Sequence, residues 1–290
     1  MFEFPARVAV ITGAASGFGQ AFAQRAAALR MKLVLADVNP EALAQTVDAL
    51  RAAGADAIGV PTDVSNAAQV DALAQAALDA FGKVHLLFNN AGVGSGGFLW
   101  ESSANDWAWV FGVNVMGVAN GLRAFVPLML RQNEPAHIVN TASVAGLLAA
   151  PAMGVYNASK HAVVGLTETL HHDLAIAGGP VGCSLLCPAF VPTGIADAER
   201  TRPGKLRNEA PLTASQKLAG RQLAKAVQGG RMSAREVAEI TFDAIRERRF
   251  YVITHPGIMA SVQLRLDDIA QLRNPTDPMS LKPEVKSASQ

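Results

Sequence analysis

The sequence predicts an α/β protein: a single-domain, doubly wound parallel sheet with helices on both faces and a substrate lid after the sixth strand. Three observations carry that expectation. Short β-branched runs alternate strictly with helical segments, the pattern of right-handed βαβ units. The runs are apolar end to end, as strands covered on both faces are. And 290 residues of 50% hydrophobic composition can bury one large core, with no internal repeat or linker to split the chain.

Arg7-Val8-Ala9-Val10-Ile11 is the first strand and stops at Thr12-Gly13. A helix follows over 17–29. A second strand, 32–36, ends at Asp37. Asn39 and Pro40 suit the N-cap and first position of a helix over 40–53. Strand 55–60, closed by Pro61-Thr62-Asp63, precedes a helix over 66–81 that Gly82 stops. Strand 84–88 comes next. A long helix covers 104–130 with Ser103 as its cap, and strand 136–141 follows. A helix over 155–176 ends at Gly178-Gly179-Pro180, ahead of strand 181–186. Residues 190–231 show no strong periodicity and read as an irregular lid, about 190–232. A helix over 234–247, a strand over 250–253 and a short helix over 262–272 complete domain 1–273. Residues 274–290 hold three prolines and many polar residues and read as a mobile tail.

The net charge of +1 gives no reason to expect nucleic acid or an acidic membrane as partner. No uninterrupted apolar run reaches the roughly 18 residues of a membrane helix. Glu3 and the shortness of the 8–11 run speak against a signal peptide. Cys183 and Cys187 lie four apart in one strand, where a disulfide is geometrically poor. They read as reduced core residues of a cytoplasmic protein.

Chemistry is suggested first by Tyr156-Asn157-Ala158-Ser159-Lys160. Four residues apart on a helix, the phenol and the ammonium share a face. A fixed ammonium favours the phenolate and lowers its pKa, which makes Tyr156 a candidate general acid/base. Alone, the pair reads more readily as an ordinary half-buried tyrosine and a solvated lysine. Its context is Thr12-Gly13-Ala14-Ala15-Ser16-Gly17-Phe18-Gly19, joining a strand to a helix. Glycines there admit a pyrophosphate close to backbone at a helix N-terminus. Asp37, 18 residues after Gly19, is placed to accept from a ribose 2′-OH and to repel a 2′-phosphate. No Arg or Lys stands at 14–16 or 38. NAD is therefore favoured over NADP.

The Thr-Gly-x-x-x-Gly-x-Gly spacing resembles the short-chain dehydrogenase/reductase family, and further motifs in order extend the resemblance over 7–200. It implies a Rossmann fold. It implies cofactor contacts from Gly13, Ser16, Gly17, Phe18 and Gly19, from Asp37, and from Asp63-Val64 beside the adenine. Asn89-Asn90-Ala91-Gly92 would flank the adenosine, with Asn90, Ala91 and Gly92 in contact. Tyr156 and Lys160 would meet the nicotinamide ribose, and Val191 and Thr193 its carboxamide and phosphates. The implied catalytic set is Asn114, Ser143, Tyr156 and Lys160. Ser143 would hold the substrate oxygen and Tyr156 move its proton. Asn114 would hold a water, or else merely mark a helix kink. The family also implies a homotetramer or dimer, built partly on the helices from Ala104 and Val155. Where it has Pro-Gly, this chain has Pro188-Ala189. Alanine resists φ > 0, so either that backbone is ordinary or the loop path differs.

The loops at the strand ends offer Phe98, Leu99, Trp100, Leu147, Leu148, Met153, Phe190 and Ile195. Either they line a pocket for a hydrophobic or aromatic alcohol/ketone, or they pack the lid onto the body. Residues 196–231 hold eight Arg/Lys against three acids, which could steer an anionic substrate or simply be solvated. Gly92 to Gly97 reads as a flexible loop near the site. The histidines suggest no metal; Glu168 and His171 read as a solvated helix face. The leading expectation is an NAD-dependent dehydrogenase of secondary alcohols, a small-molecule enzyme. The alternatives are an NADPH-dependent 3-oxoacyl reductase and a non-catalytic nucleotide-binding regulator.

Overall fold

The computed structural model describes residues 2–278, 280 and 281. Seven strands form one sheet, all parallel, in the order β3-β2-β1-β4-β5-β6-β7. They are β1 (Val8–Thr12), β2 (Lys32–Asp37), β3 (Ala57–Pro61), β4 (Leu86–Asn89), β5 (Ala136–Thr141), β6 (Val181–Cys187) and β7 (Tyr251–Ile253). The helices are α1 (Gly17–Ala28), α2 (Pro40–Ala52), α3 (Ala67–Phe81), α4 (Ala104–Phe111), α5 (Gly117–Gln132), α6 (Gly154–Ala177), α7 (Ala214–Gln228), α8 (Ala234–Glu247) and α9 (Met259–Ala270).

Strand alternation explains the two-sided core. Ala9, Ile11, Leu33 and Leu35 point to one face, where α1, α2 and α8 supply Phe22, Leu43, Val47 and Phe242. Val8, Val10, Val34 and Ala36 point to the other, under Leu73 of α3, Phe125 of α5 and Leu174 of α6. Continuously apolar strands are what such double coverage requires. Strand order reverses direction between β1 and β4, so the crossover helices leave those two carboxyl ends on opposite faces and a crevice opens between them.

Three expectations change. The lid is not irregular throughout: α7 runs over Ala214–Gln228 behind a capping box of Thr213 and Gln216. Its Thr-x-x-Gln start was visible in the sequence, but the helix lacks an apolar stripe wide enough to signal itself. The helix over 104–130 is continuous but not regular, because Gly112–Met116 forms a π turn between α4 and α5. Across 104–132 its most apolar window has a mean hydropathy of 1.4, long and apolar enough to cross a membrane by composition. Here Trp109, Val110, Phe125 and Met129 of that helix are buried in the body of the protein. Of the segment read as a mobile tail, the stretch 274–278 returns to the body, where the Thr276 N–H donates to Asp268 at 2.8 Å. Residues 279 and 282–290 lie outside the described ones.

Both cysteines are free and buried, and burial pushes each thiol up to about 12. His137 on β5 is enclosed too. Ser184 Oγ donates to the Arg249 carbonyl at 2.6 Å and so accepts from His137 Nε2 at 2.7 Å. Burial, with the nearby Arg248 charge, pushes the imidazole down to about 3. The folded state therefore holds His137 neutral while the unfolded chain protonates it below about pH 6.5. Its stabilising effect is complete above that pH and is lost as pH falls, at about 1.4 kcal/mol per pH unit, until about pH 3. We expect His137→Gln to flatten the acid limb of stability by that slope between pH 6 and 4, as read from urea unfolding midpoints. An unchanged slope would refute the assignment.

Candidate active site

The crevice becomes a cleft of about 340 Å³ along the carboxyl ends of the strands. Its spine is Thr12, at the end of β1. Thr12 Oγ1 donates to the Phe88 carbonyl and accepts from the N–H groups of Asn90 and Ala91, at 2.9–3.1 Å. Asn90 Nδ2 returns a bond to the Thr12 carbonyl at 2.9 Å. These bonds hold the glycine turn and the Asn89–Gly92 segment side by side. The fit is close: a Cβ on Gly13 would stand 2.9 Å from Ala91 Cα, and Gly13 has φ +65°.

Every residue expected to meet a cofactor lines this cleft except Gly19. A Cβ on Gly19 would lie 2.0 Å from the Gly13 carbonyl oxygen. Its place is behind the turn, where only glycine lets α1 start so close to β1. Ser16 caps α1 without a side-chain hydrogen bond, so the first N–H groups of the helix face the cleft unspent by a cap. At the far end Asp37 accepts from the N–H groups of Ala15 and Asn39, one per oxygen, both at 3.0 Å. Asp63 is fixed similarly by Ser65. Ala189 does not adopt a positive φ, so the backbone there is ordinary. Thr193 faces Gly17 across the cleft, 3.3 Å from where its Cβ would be.

At the other end stand Ser143, Tyr156 and Lys160. Ser143 follows β5, accepts from the Ala145 N–H and donates to the Pro188 carbonyl. Lys160 is buried; Nζ donates to the Thr141 carbonyl at 2.9 Å and lies 5.8 Å from the Tyr156 ring centre. The expected lowering of the Tyr156 pKa by Lys160 does not hold in this structure. Tyr156 keeps part of its ring open to the cleft, but burial of its hydroxyl raises the phenol above its ordinary range. The Ser143 hydroxyl beside it works in the opposite direction. Burial acts on the ammonium as well and pushes Lys160 down to about 8. Desolvation is the largest influence on both groups.

Asn114 is not on the cleft wall. It sits inside the π turn, where Oδ1 accepts from the Val93 N–H and Nδ2 donates to the Val93 carbonyl and to Ser159 Oγ. Both amide protons are spent, and Oδ1 keeps one lone pair. Of the two readings of Asn114, a held water and a helix kink, the π turn is the irregularity that the second expects.

The apolar wall differs from expectation. Leu148, Met153, Phe190 and Ile195 do line the cleft. Phe98, Leu99 and Trp100 lie outside it, with Trp100 81% exposed. Leu99 is packed over Gly154 at the start of α6, and Glu101 is held by the hydroxyls of Thr213 and Ser215 of the lid. Leu147 packs instead against the cluster of Ala142, Val163 and Leu185. Trp109, Leu206, Leu223, Val227 and Ile258 take their places. Gly96 and Gly97 are a seat for α7 rather than a loose loop. Cβ atoms there would stand 2.8 Å from Ala219 and 2.5 Å from Gln216, and Gly97 has φ +130°.

Sequence reasoning also missed Arg202. Its guanidinium lies 4.1 Å over the Trp109 ring and pairs with Asp106 at 2.8 Å and Glu199 at 2.6 Å. Arg202 and Asp106 are 3% and 6% exposed. The flap 194–206 is thus fastened to α4, and Trp109 is fixed as cleft wall. Only the surplus of basic residues in the lid hinted at it.

A cleft glycine-lined at one end, apolar at the other and floored by a phenol and an ammonium belongs to the nucleotide-dependent oxidoreductases. A profile of the short chain dehydrogenase family matches residues 7–204, and the chain belongs to that family. It is 38% identical over 271 residues to a CLA biosynthesis dehydrogenase/reductase of Lactiplantibacillus plantarum, covering 93% of this chain and 95% of that one. It is 35% identical over 262 residues to 1-deoxy-11-beta-hydroxypentalenate dehydrogenase of Streptomyces avermitilis, covering 90% and 87%. A crystal structure of a short chain dehydrogenase/reductase from Burkholderia phymatum in complex with NAD superposes with a TM-score of 0.96. It is 74% identical, covering 97% of this chain and 100% of that one. The protein is an oxidoreductase acting on CH–OH and carbonyl groups.

Breaking the Arg202–Asp106 pair leaves the buried Asp106 charge with only its neutral partners Ser103 and Asn208. Arg202→Met should cost about 3 kcal/mol locally. We expect faster trypsin cleavage within 194–206, with the unfolding midpoint of the sheet little changed; wild-type cleavage rates would refute the anchoring role.

Proposed function

We propose that the enzyme is an NAD-dependent dehydrogenase interconverting a hydrophobic or aromatic secondary alcohol and its ketone. The observation that carries this reading is a single cleft with Asp37 at one end and Ser143, Tyr156 and Lys160 at the other. The residues fit a dinucleotide. The close-packed glycine turn and the uncapped start of α1 suit a pyrophosphate. Asp37, its rotamer set by two N–H donors, has lone pairs left for ribose hydroxyls and a charge that repels a 2′-phosphate. Val38 beside it is exposed and offers no cation.

The bound nicotinamide supplies the hydride acceptor or donor. The chain's own part is to orient the carbinol and handle its proton. Ser143, pinned between the Ala145 N–H and the Pro188 carbonyl, holds the substrate oxygen against the Tyr156 hydroxyl. Tyr156 takes the hydroxyl proton in oxidation and returns it in reduction. Lys160, tied to Thr141, presents its ammonium beside the ring and helps bind the ribose. Asn114 holds the Val93 loop against α6 through Ser159. The apolar wall of Leu148, Met153, Phe190 and Ile195 favours a hydrophobic substrate.

Tyr156→Phe removes the proton-transferring oxygen and little else. We expect turnover of secondary alcohols to fall at least about 1000-fold, with NADH affinity within a few-fold of wild type by fluorescence titration. Retained turnover would sink the assignment. Asp37→Ala combined with Val38→Arg should reverse coenzyme choice, measured as the ratio of kcat/KM for NAD and NADP. A wild-type preference for NADP would refute the reading of Asp37.

A further inference from the structure

The flap that closes the substrate end of the cleft carries its charges unevenly. Arg202 points inward but is consumed by Asp106, Glu199 and the Leu206 carbonyl. Arg200 and Lys205 are the flap's other cations on the cleft lining, and no flap acid joins them there. Asp197 and Glu199 are turned outward, 80% and 62% exposed. Asp197 reaches Arg200 only at 3.9 Å. The acids that do line the cleft, Asp37 and Asp63, belong to its adenosine end and are already bonded to backbone and Ser65. Lys160 lies at the nicotinamide end, donating to Thr141 and, on the dehydrogenase reading, facing the ribose.

Position assigns the two flap cations to the substrate end. Ala198, two residues before Arg200, and Leu206, next to Lys205, pack with Val93, Trp109 and Val155, the neighbour of Tyr156. Across the cleft the wall is apolar: Leu148, Met153 and Ile258. Two under-neutralised cations at the rim of an apolar chamber complement an amphipathic anion.

We propose that the substrate is an apolar secondary alcohol or ketone that also carries a carboxylate, and that Arg200 and Lys205 bind this carboxylate. The proposal rests on the dehydrogenase reading and narrows its substrate class. The carboxylate sits away from the reacting carbon, so the flap selects the acid while Ser143 and Tyr156 act on the hydroxyl. Arg200 Nη2 also stands 3.0 Å from the Cβ position of Gly194, the residue after Thr193, so the test separates a substrate carboxylate from the cofactor's pyrophosphate.

The test uses the full chain with NADH bound. Decanoate and decanamide, equal in length and differing in charge, are titrated against nucleotide fluorescence. We expect decanoate to bind about five-fold or more tightly. That margin should vanish in Arg200→Gln/Lys205→Gln and reverse towards the amide in Lys205→Glu. In turnover, 9-hydroxydecanoate should exceed 2-decanol in kcat/KM by a similar factor. Equal affinity for acid and amide overturns the proposal. So does a double variant that loses NADH affinity in parallel, which would give the cations to the pyrophosphate. Tight decanoate binding without oxidation of either alcohol supports the anion site and overturns the dehydrogenase reading instead.

Discussion

The hydrogen-bonded junction at Thr12 is the constraint on which the rest of the site depends. One hydroxyl ties β1 to the segment after β4 across the point where the sheet reverses its winding. Because the two strand ends are locked together, the crevice between them has a fixed floor. The glycine turn can rise on one side of it and the Gly92–Gly94 strip on the other. Each additional part is then placed relative to that floor. Asp37 reaches it through Ala15, Asn114 through Val93, and Lys160 stands beside Gly92. A flexible junction would leave these groups individually present but without a common geometry.

Burial is the second controlling effect, and it overrides charge. A tyrosine and a lysine one helical turn apart suggest a simple electrostatic couple. In the structure each has given up water, which disfavours the phenolate and the ammonium alike. Burial thus holds the phenol above its ordinary range and pushes the ammonium down to about 8. Among the influences on Tyr156, the Ser143 hydroxyl is the one that favours the phenolate.

The sheet, the helices that cover it and the glycine turn were legible in the sequence because each is encoded locally. Apolar runs, caps at Asn39 and Ser103, and the Thr12–Gly19 spacing require no knowledge of distant contacts. The same holds for Ser143, Tyr156 and Lys160, whose order along strands and helices fixes which end of the sheet they occupy. What was not legible depends on long-range packing. Trp100 looks like a pocket residue and is exposed, while Trp109, nine residues on within an unremarkable helix, forms the wall. Arg202 meets Asp106 across 96 residues, and Gly97 receives Gln216 of α7 across still more. No periodicity reports such meetings. Asn114 is intermediate: its burial followed from helix position, but the π turn around it comes from the accommodation of one extra residue.

That π turn lets the long helix carry an extra residue without losing its phase. Gly112–Met116 holds one residue more than an α turn would. The surplus is taken up locally, so α5 beyond it keeps the face it would have in a regular helix, with Asn120 on the Val64 carbonyl and Phe125 and Met129 against the sheet. In evolutionary terms one residue can enter or leave at 112–116 while the register of α5 is kept; elsewhere in the helix the same change would turn that face by about 100°. The flap, fastened at Arg202 and seated by α7 on Gly96 and Gly97, can lengthen or shorten between those fixtures without disturbing the sheet.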